Sequence, residues 1–272
     1  MNDTSHALIA AVVQFAPVND AAANRAMLTG HIRAAAQSGA RLIVLPEYAN
    51  FFEAPLGASM VAAAEELDGP FITLLRERAD ESGAVILAGM AEAIPHGDRF
   101  ANTVVAVAPG IGLIARYRKV HLYDAFGSRE SDWVEAGNPG DGPVTLDVDG
   151  FRVGIMTCYD LRFPESARTL IDAGAEVIAM PAEWVPGPRK EDHWTTLVRA
   201  RAIENTCYLL AADHIAPAGV GLSMIVDPRG IVSAAASAGA GIAVAPLYRR
   251  VIDETRATNP SLHNRRFTVR PR

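Results

Sequence analysis

The stretch FRVGIMTCYDLRFPE, residues 151–165, decides how the chain is read. Phe151 to Thr157 is an apolar run with β-branched residues and reads as a strand closing at Cys158. Phe163-Pro164-Glu165 then opens a segment that reads as a helix. Proline suits the first helical position because the N–H it lacks would be unpaired there. Glu165 in the first turn complements the helix dipole. Cys158 therefore stands on a sharp strand-to-helix turn, where a nucleophile is presented beside free backbone N–H groups able to receive an oxyanion. Taken alone, the position has a plainer reading, since a free cysteine is more often a small buried hydrophobe.

On both sides of this turn, strands and helices alternate. His6–Phe15 and Arg41–Leu45 are nearly continuous apolar runs, as expected of strands buried on both faces. Asn19-Asp20 caps a helix over 21–38, and Asp68-Gly69-Pro70 announces another over 70–82. A strand at 84–88 follows. Hairpins are predicted for 102–108 with 111–116, turning at Pro109-Gly110, and for 144–148 with 151–157, turning at Asp149-Gly150. Residues 119–142 show no sustained period and read as a long loop, a length that often carries function. Helix 164–173, strand 176–180, helix 190–205 and strands at 207–212, 222–227, 231–235 and 241–245 complete the pattern. The alternation marks an α/β protein. One domain is expected over 1–272, with a polar, Arg-rich tail at 255–272.

Composition narrows the function. Half of the 272 residues are hydrophobic, enough for a substantial core, while a net charge of −6 argues against nucleic acid or an anionic membrane as partner. The two cysteines, Cys158 and Cys207, give no disulfide framework and suit a reducing cytoplasm. The N-terminal MNDTSH lacks the basic flank of a signal peptide. The weakly polar run at 231–246 is broken by serines and glycines and falls short of a bilayer span. A cytoplasmic location is expected. The seven histidines show no ligand spacing and no glycine-rich phosphate loop follows a strand, so neither metal nor organic cofactor is expected.

Three polar residues end apolar strands or begin the loops after them: Glu47, Lys119 and Cys158. Individually, a glutamate after a strand is usually solvated and a lysine among arginines is usually surface charge. Together they supply a base, a cation for an oxyanion and a nucleophile, the set needed for acyl transfer. In that chemistry the Tyr159 N–H is a second oxyanion donor.

The blocks LPEYAN (45–50), YRKVHLYD (117–124) and GIMTCYDLRFPE (154–165) resemble the carbon–nitrogen hydrolase family, the nitrilase superfamily. Asn102-Thr103, HWTTLVRARAIENTCYLLAA (193–212) and GLSMIVDPRG (221–230) extend the likeness over nearly the whole chain. The resemblance implies a four-layer αββα sandwich with two six-stranded sheets. It implies a Glu47-Lys119-Cys158 triad and a second active-site glutamate, matched to Glu130, with Glu135 as the alternative. The implied activity is a cysteine-dependent amidase that converts a small, carboxylate-bearing amide to acid and ammonia through a thioester on Cys158. Nitrile hydrolysis and N-carbamoyl amino acid hydrolysis use the same triad, and a catalytically silent binding protein on this scaffold is a further alternative. Tyr48, Trp133, Arg162, Glu183 and Trp184 are candidates for substrate binding. Asp160 and Arg162 have two readings, substrate carboxylate recognition or a local ion pair bracing the turn. His121 reads as scaffold. Relatives commonly pair through the helices at 164–173 and 190–205, so a homodimer or larger homo-oligomer is expected.

Overall fold

The computed structural model describes residues 7–95 and 97–271. The MNDTSH segment and His6, with which the first predicted strand begins, lie outside the described residues. Two β-sheets pack face to face. In the first, β1 (Ala7–Gln14), β2 (Leu42–Val44) and β3 (Val85–Ala93) run parallel. β4 (Phe100–Ala108) and β5 (Gly112–Arg118) extend it as an antiparallel hairpin, and the two-residue β6 (Val134–Glu135) pairs with β4. The second sheet holds β7 (Thr145–Val148), β8 (Phe151–Ile155), β9 (Val177–Pro181), β10 (Tyr208–Ala212), β11 (Met224–Val226) and β12 (Val232–Ala235). β8, β9 and β10 are parallel at its centre. β13 (Gly241–Tyr248) returns to the first sheet and pairs antiparallel with β1. Among the described residues the first sheet thus has seven strands rather than the expected six, because the loop after β5 contributes β6.

The period of two along each strand explains the four layers. On β1, Leu8, Ala10 and Val12 point into the core between the sheets, where they meet Phe151, Val153, Ile155 and Leu210. Ala11 and Val13 point the other way, onto Leu28, Ile32, Phe71 and Leu75. Those four belong to α1 (Ala21–Gln37) and α3 (Pro70–Ser82). The outer face of the second sheet does the same with Ile178, Met180 and Leu209, covered by Leu170, Trp194 and Val198 of α4 (Pro164–Asp172) and α5 (Lys190–Asn205). Strands that must be apolar on both faces read as continuous hydrophobic runs. The order of layers is αββα.

Helix caps follow local chemistry. Asp20 Oδ1 accepts the N–H groups of Ala22 and Ala23 at the start of α1. Pro70 and Pro164 occupy the first turns of α3 and α4. Two helices depart from the sequence expectation. The short α2 (Ala58–Ala63) buries only Met60, and α6 (Arg249–Thr258) buries only Ile252, so neither shows a wide apolar stripe. The polar tail expected from 255 therefore begins inside α6. No helix among the described residues is long and apolar enough to cross a membrane.

Candidate active site

Strand ends from both sheets converge on one cavity of about 510 Å³. β2 ends at Val44, and Leu45-Pro46-Glu47 continues beside β3 through Leu45 N–H to Leu87 O (2.8 Å), Gly89 N–H to Pro46 O (3.0 Å) and Ala49 N–H to Gly89 O (2.7 Å). The two chains come so close that a Cβ on residue 89 would lie 2.4 Å from the Glu47 Cα, which requires glycine. Tyr48 then turns with φ +52°, directing Glu47 inward. Lys119 follows β5 and is fixed by its own backbone, whose N–H donates to Asn102 O and whose carbonyl accepts from Gly137, both at 2.8 Å. Glu130 comes from a 3-10 turn at 130–132 within the long loop.

These three side chains are buried and touch. Lys119 Nζ lies 3.0 Å from Glu47 Oε1 and 2.9 Å from Glu130 Oε2. Asn102 Nδ2 donates to Glu47 Oε1 (2.6 Å) and Glu130 Oε1 (2.9 Å). Glu130 also accepts the Tyr48 hydroxyl (2.7 Å) and the Tyr123 N–H (2.5 Å). Glu47 Oε2 accepts the Glu183 N–H at 2.6 Å. Burial alone would lower the Lys119 pKa, but Glu130 and Glu47 outweigh it and hold the ammonium well above its ordinary value. Burial works against the Glu130 carboxylate, and Lys119 with the donated hydrogen bonds keeps its pKa below the usual value. The floor of the cavity is thus a lysine clasped by two carboxylates. Glu135 is exposed on β6, away from this cluster.

Cys158 also lines the cavity. β8 closes at Ile155, and Cys158 opens a 3-10 turn (158–162) with φ +45°, an unusual conformation for a residue with a side chain. Asp160 holds the turn. Its Oδ2 accepts Thr157 N–H at 3.0 Å and the Tyr117 hydroxyl at 2.7 Å, while Oδ1 lies 2.7 Å from His121 Nδ1. His121 stacks on Phe163 with ring centroids 3.8 Å apart, which places it in the scaffold. Asp160 is therefore braced by Tyr117 and His121, not by Arg162. The Cys158 thiol donates to the Glu183 carbonyl at 3.3 Å. Burial, with the Glu47 carboxylate adding to it and Lys119 opposing, pushes this thiol well above its ordinary pKa. Lys119 does not leave a resting thiolate, so ionisation at the moment of attack needs a base. Among the described residues, the Tyr159 N–H has no protein acceptor. Cys207 is a free, buried thiol in the α4–α5 core, pushed up to about 12 by burial.

The walls come from Tyr48, Trp133, Arg162, Glu183 and Trp184, all of which face the cavity. Trp184 is held by its N–H to Asp213 Oδ1 (2.8 Å) and by Nε1–H to Lys190 O (3.0 Å). Arg162 lies 4.7 Å over the Trp184 ring, and its Nε is buried without an acceptor among the described residues. Sequence reasoning missed Lys190, whose Nζ donates to the Tyr123 hydroxyl (2.7 Å) and sits 4.1 Å over Phe126. It also missed His214, whose Nε2–H donates to the Glu47 carbonyl at 2.7 Å. Neither residue lies in a periodic or motif context that would single it out.

The carbon-nitrogen hydrolase family model matches residues 9–257. The chain is 38% identical over 260 residues to a deaminated glutathione amidase of Escherichia coli O157:H7, covering 96% of this chain and 98% of that one. Among solved structures, the NitFhit protein of C. elegans superposes with a TM-score of 0.88 at 29% identity, over 96% of this chain and 65% of that longer one. A variant of the Nesterenkonia AN1 amidase, from the nitrilase superfamily, superposes at TM-score 0.74 and 25% identity, covering 94% and 96% of the two chains.

Proposed function

The chain belongs to the carbon–nitrogen hydrolase family, and on that premise we propose that it is a cysteine-dependent amidase releasing ammonia from a small carboxylate-bearing amide. One observation carries this reading: the Lys119 ammonium, clasped by Glu47 and Glu130, forms the floor of the cavity that Cys158 lines.

Glu47 takes the Cys158 thiol proton as Sγ attacks the amide carbon, and the C–O π pair moves to oxygen. Lys119 and the unpaired Tyr159 N–H receive that oxyanion; removing one such donor typically costs ~10²–10³ in rate. Glu47 then returns the proton to nitrogen, the C–N bond breaks, and ammonia leaves a thioester on Cys158. Water, deprotonated by Glu47, attacks the thioester and expels the thiolate, which is reprotonated as the acid departs. Glu130 holds Lys119 in place and keeps it charged. The sequence of steps calls on no metal or organic cofactor. Arg162 and Lys190, neither of them ion-paired among the described residues, suit a substrate carboxylate.

Ammonia release from a panel of carboxylate-bearing amides, with rapid quenching and intact mass measurement, tests the reading. A Cys158 adduct of the acid minus water is expected; turnover without any such adduct would count against the thioester route.

A further inference from the structure

Lys190 is a buried cation without an anion. The residue is 4% exposed, yet among the described residues its ammonium makes one hydrogen bond, to the Tyr123 hydroxyl at 2.7 Å, and no ion pair. Aromatic rings stand around it instead, with Nζ 4.1 Å from the Phe126 centroid and 4.9 Å from that of Tyr123. Ring faces attract the charge but leave N–H donors unused, and a buried charge is ordinarily paired. Burial, with Arg162 adding to it, lowers the Lys190 pKa below its ordinary value, as expected of an ammonium that lacks a counterion.

The same bond fixes what Tyr123 can do. An ammonium only donates, so the phenol oxygen is the acceptor, and its own O–H has no acceptor among the described residues. Burial, with Cys158 adding to it and Arg162 opposing, raises the phenol pKa to about 12, so the group is a donor at neutral pH. The ring is stacked on Phe126 and stands edge-on to Tyr159, with centroids 5.2 Å apart in the second contact. Tyr123 and Lys190 both line the cavity. Two donor groups thus stand side by side there, and an acceptor-only carboxylate is their complement.

We propose that Tyr123 determines specificity for the substrate carboxylate, its O–H donating to that group beside the Lys190 ammonium. The inference deepens the amidase reading and rests on it for the choice of ligands. Arg162, over the Trp184 ring with its Nε buried and without an acceptor among the described residues, adds charge to the same region. The backbone of Tyr123 ties this end of the cavity to its floor, because its N–H donates to Glu130 Oε2 at 2.5 Å and Glu130 clasps Lys119. One residue therefore registers the substrate carboxylate against the catalytic lysine. A neutral amide of the same length engages the floor alone and leaves both donors unused.

Calorimetry on the Cys158→Ala protein reads binding without turnover. The probes are two pairs matched in chain length, succinamate with butanamide and glutaramate with pentanamide. The expected result is at least ~10-fold tighter binding of the carboxylate-bearing member of one pair. In Cys158→Ala/Tyr123→Phe, which keeps the ring and the backbone N–H, that preference should fall by ~5-fold or more, the usual loss for a hydrogen bond to a charged group. Cys158→Ala/Lys190→Met should lower the same preference with Tyr123 intact, and it provides an independent reading if the phenylalanine variant folds poorly. Equal weakening of both members of a pair by Tyr123→Phe would mean that the hydroxyl only supports the pocket, and would overturn the proposal. So would a preference that survives Tyr123→Phe, no preference in the parent protein, or no binding of any of the four. Failure of the amidase reading appears separately, as absence of ammonia from the wild-type protein with every amide tested.

Discussion

The Glu183 backbone N–H donates to Glu47 Oε2 across 2.6 Å, joining residues 136 positions apart. Through the same residue, the Glu183 carbonyl accepts the Cys158 thiol. One residue just beyond the end of β9 therefore links a carboxylate that follows β2 to the thiol. Displacing that backbone should disturb activity before it disturbs stability.

Cys158→Ala and Cys158→Ser should abolish ammonia release while leaving circular dichroism and the melting transition close to wild type, because the thiol sits at the cavity surface. Cys207→Ser should keep turnover and lose stability, by about 1–3 kcal/mol for a hydroxyl placed in an apolar core. Ammonia release retained by Cys158→Ala would remove Cys158 as nucleophile.

Lys119→Met should cost both activity and stability. It leaves Glu47 and Glu130 buried without their shared cation, a loss of about 3–5 kcal/mol by the usual cost of breaking a buried ion pair. Denaturant melts check the stability arm. The double variant Lys119→Met/Glu130→Gln should recover part of the stability but none of the rate. A Lys119→Met protein as stable as wild type would contradict the clasp.

His214 gives a pH dependence of folding. Burial, only partly offset by its bond to the Glu47 carbonyl, lowers its pKa to about 4, against 6.5 for an ordinary imidazole. The folded value is depressed, so the unfolded chain binds the proton first as pH falls. The contribution is complete above 6.5 and drains away between about 6.5 and 4, ~3 kcal/mol in all. Urea melts across that interval should show the slope in wild type and a flatter profile in His214→Gln, whose amide retains a donor for Glu47 O. Identical slopes would rule His214 out as the source.

An amide should be preferred to its matched nitrile. The nitrile adduct is a thioimidate, which needs water before nitrogen can leave, whereas the amide adduct gives directly the oxyanion that Lys119 and Tyr159 N–H can hold. The expected gap in kcat/KM is at least ~10-fold, about 1.4 kcal/mol. Activity should also withstand EDTA, and recovery of a lost activity by a divalent metal would contradict the scheme. A nitrile preference, or amide accumulating from a nitrile, would favour the nitrilase alternative.

We expect a homodimer or larger assembly through α4 and α5. On this side Ile203 remains exposed beside Gly230, and Ile231 and Val232 are exposed with it. Light scattering at assay concentration, paired with Ile203→Glu, provides the measurement. A fully active wild-type monomer would argue against the assembly.

The fold was legible wherever both faces of a strand are buried, since Leu8–Val13 and Arg41–Leu45 then leave no ambiguity with a helix of ordinary length. Lys119 and Glu47 were legible as polar groups at strand ends, and the structure brings them to 3.0 Å. Lys190, Tyr123 and Phe126 were not, because their association is a cation over aromatic rings assembled across 67 positions of sequence. Arg162 and Asp160 looked like a neighbouring ion pair, yet each found a different partner once the sheets came together. The start of the Arg-rich tail hid α6, whose one buried side chain, Ile252, is too little for a periodic signal.

The contact between Gly89 and the Glu47 Cα has a consequence for how this protein tolerates change. Residue 89 carries no functional group and touches no substrate, yet the alphabet there is reduced to a single letter: alanine adds one methyl, 2.4 Å from the backbone that carries Glu47. A saturation mutagenesis library scored by turnover would rank position 89 with the nucleophile. Clearance, rather than reactivity, is what such a screen would be detecting.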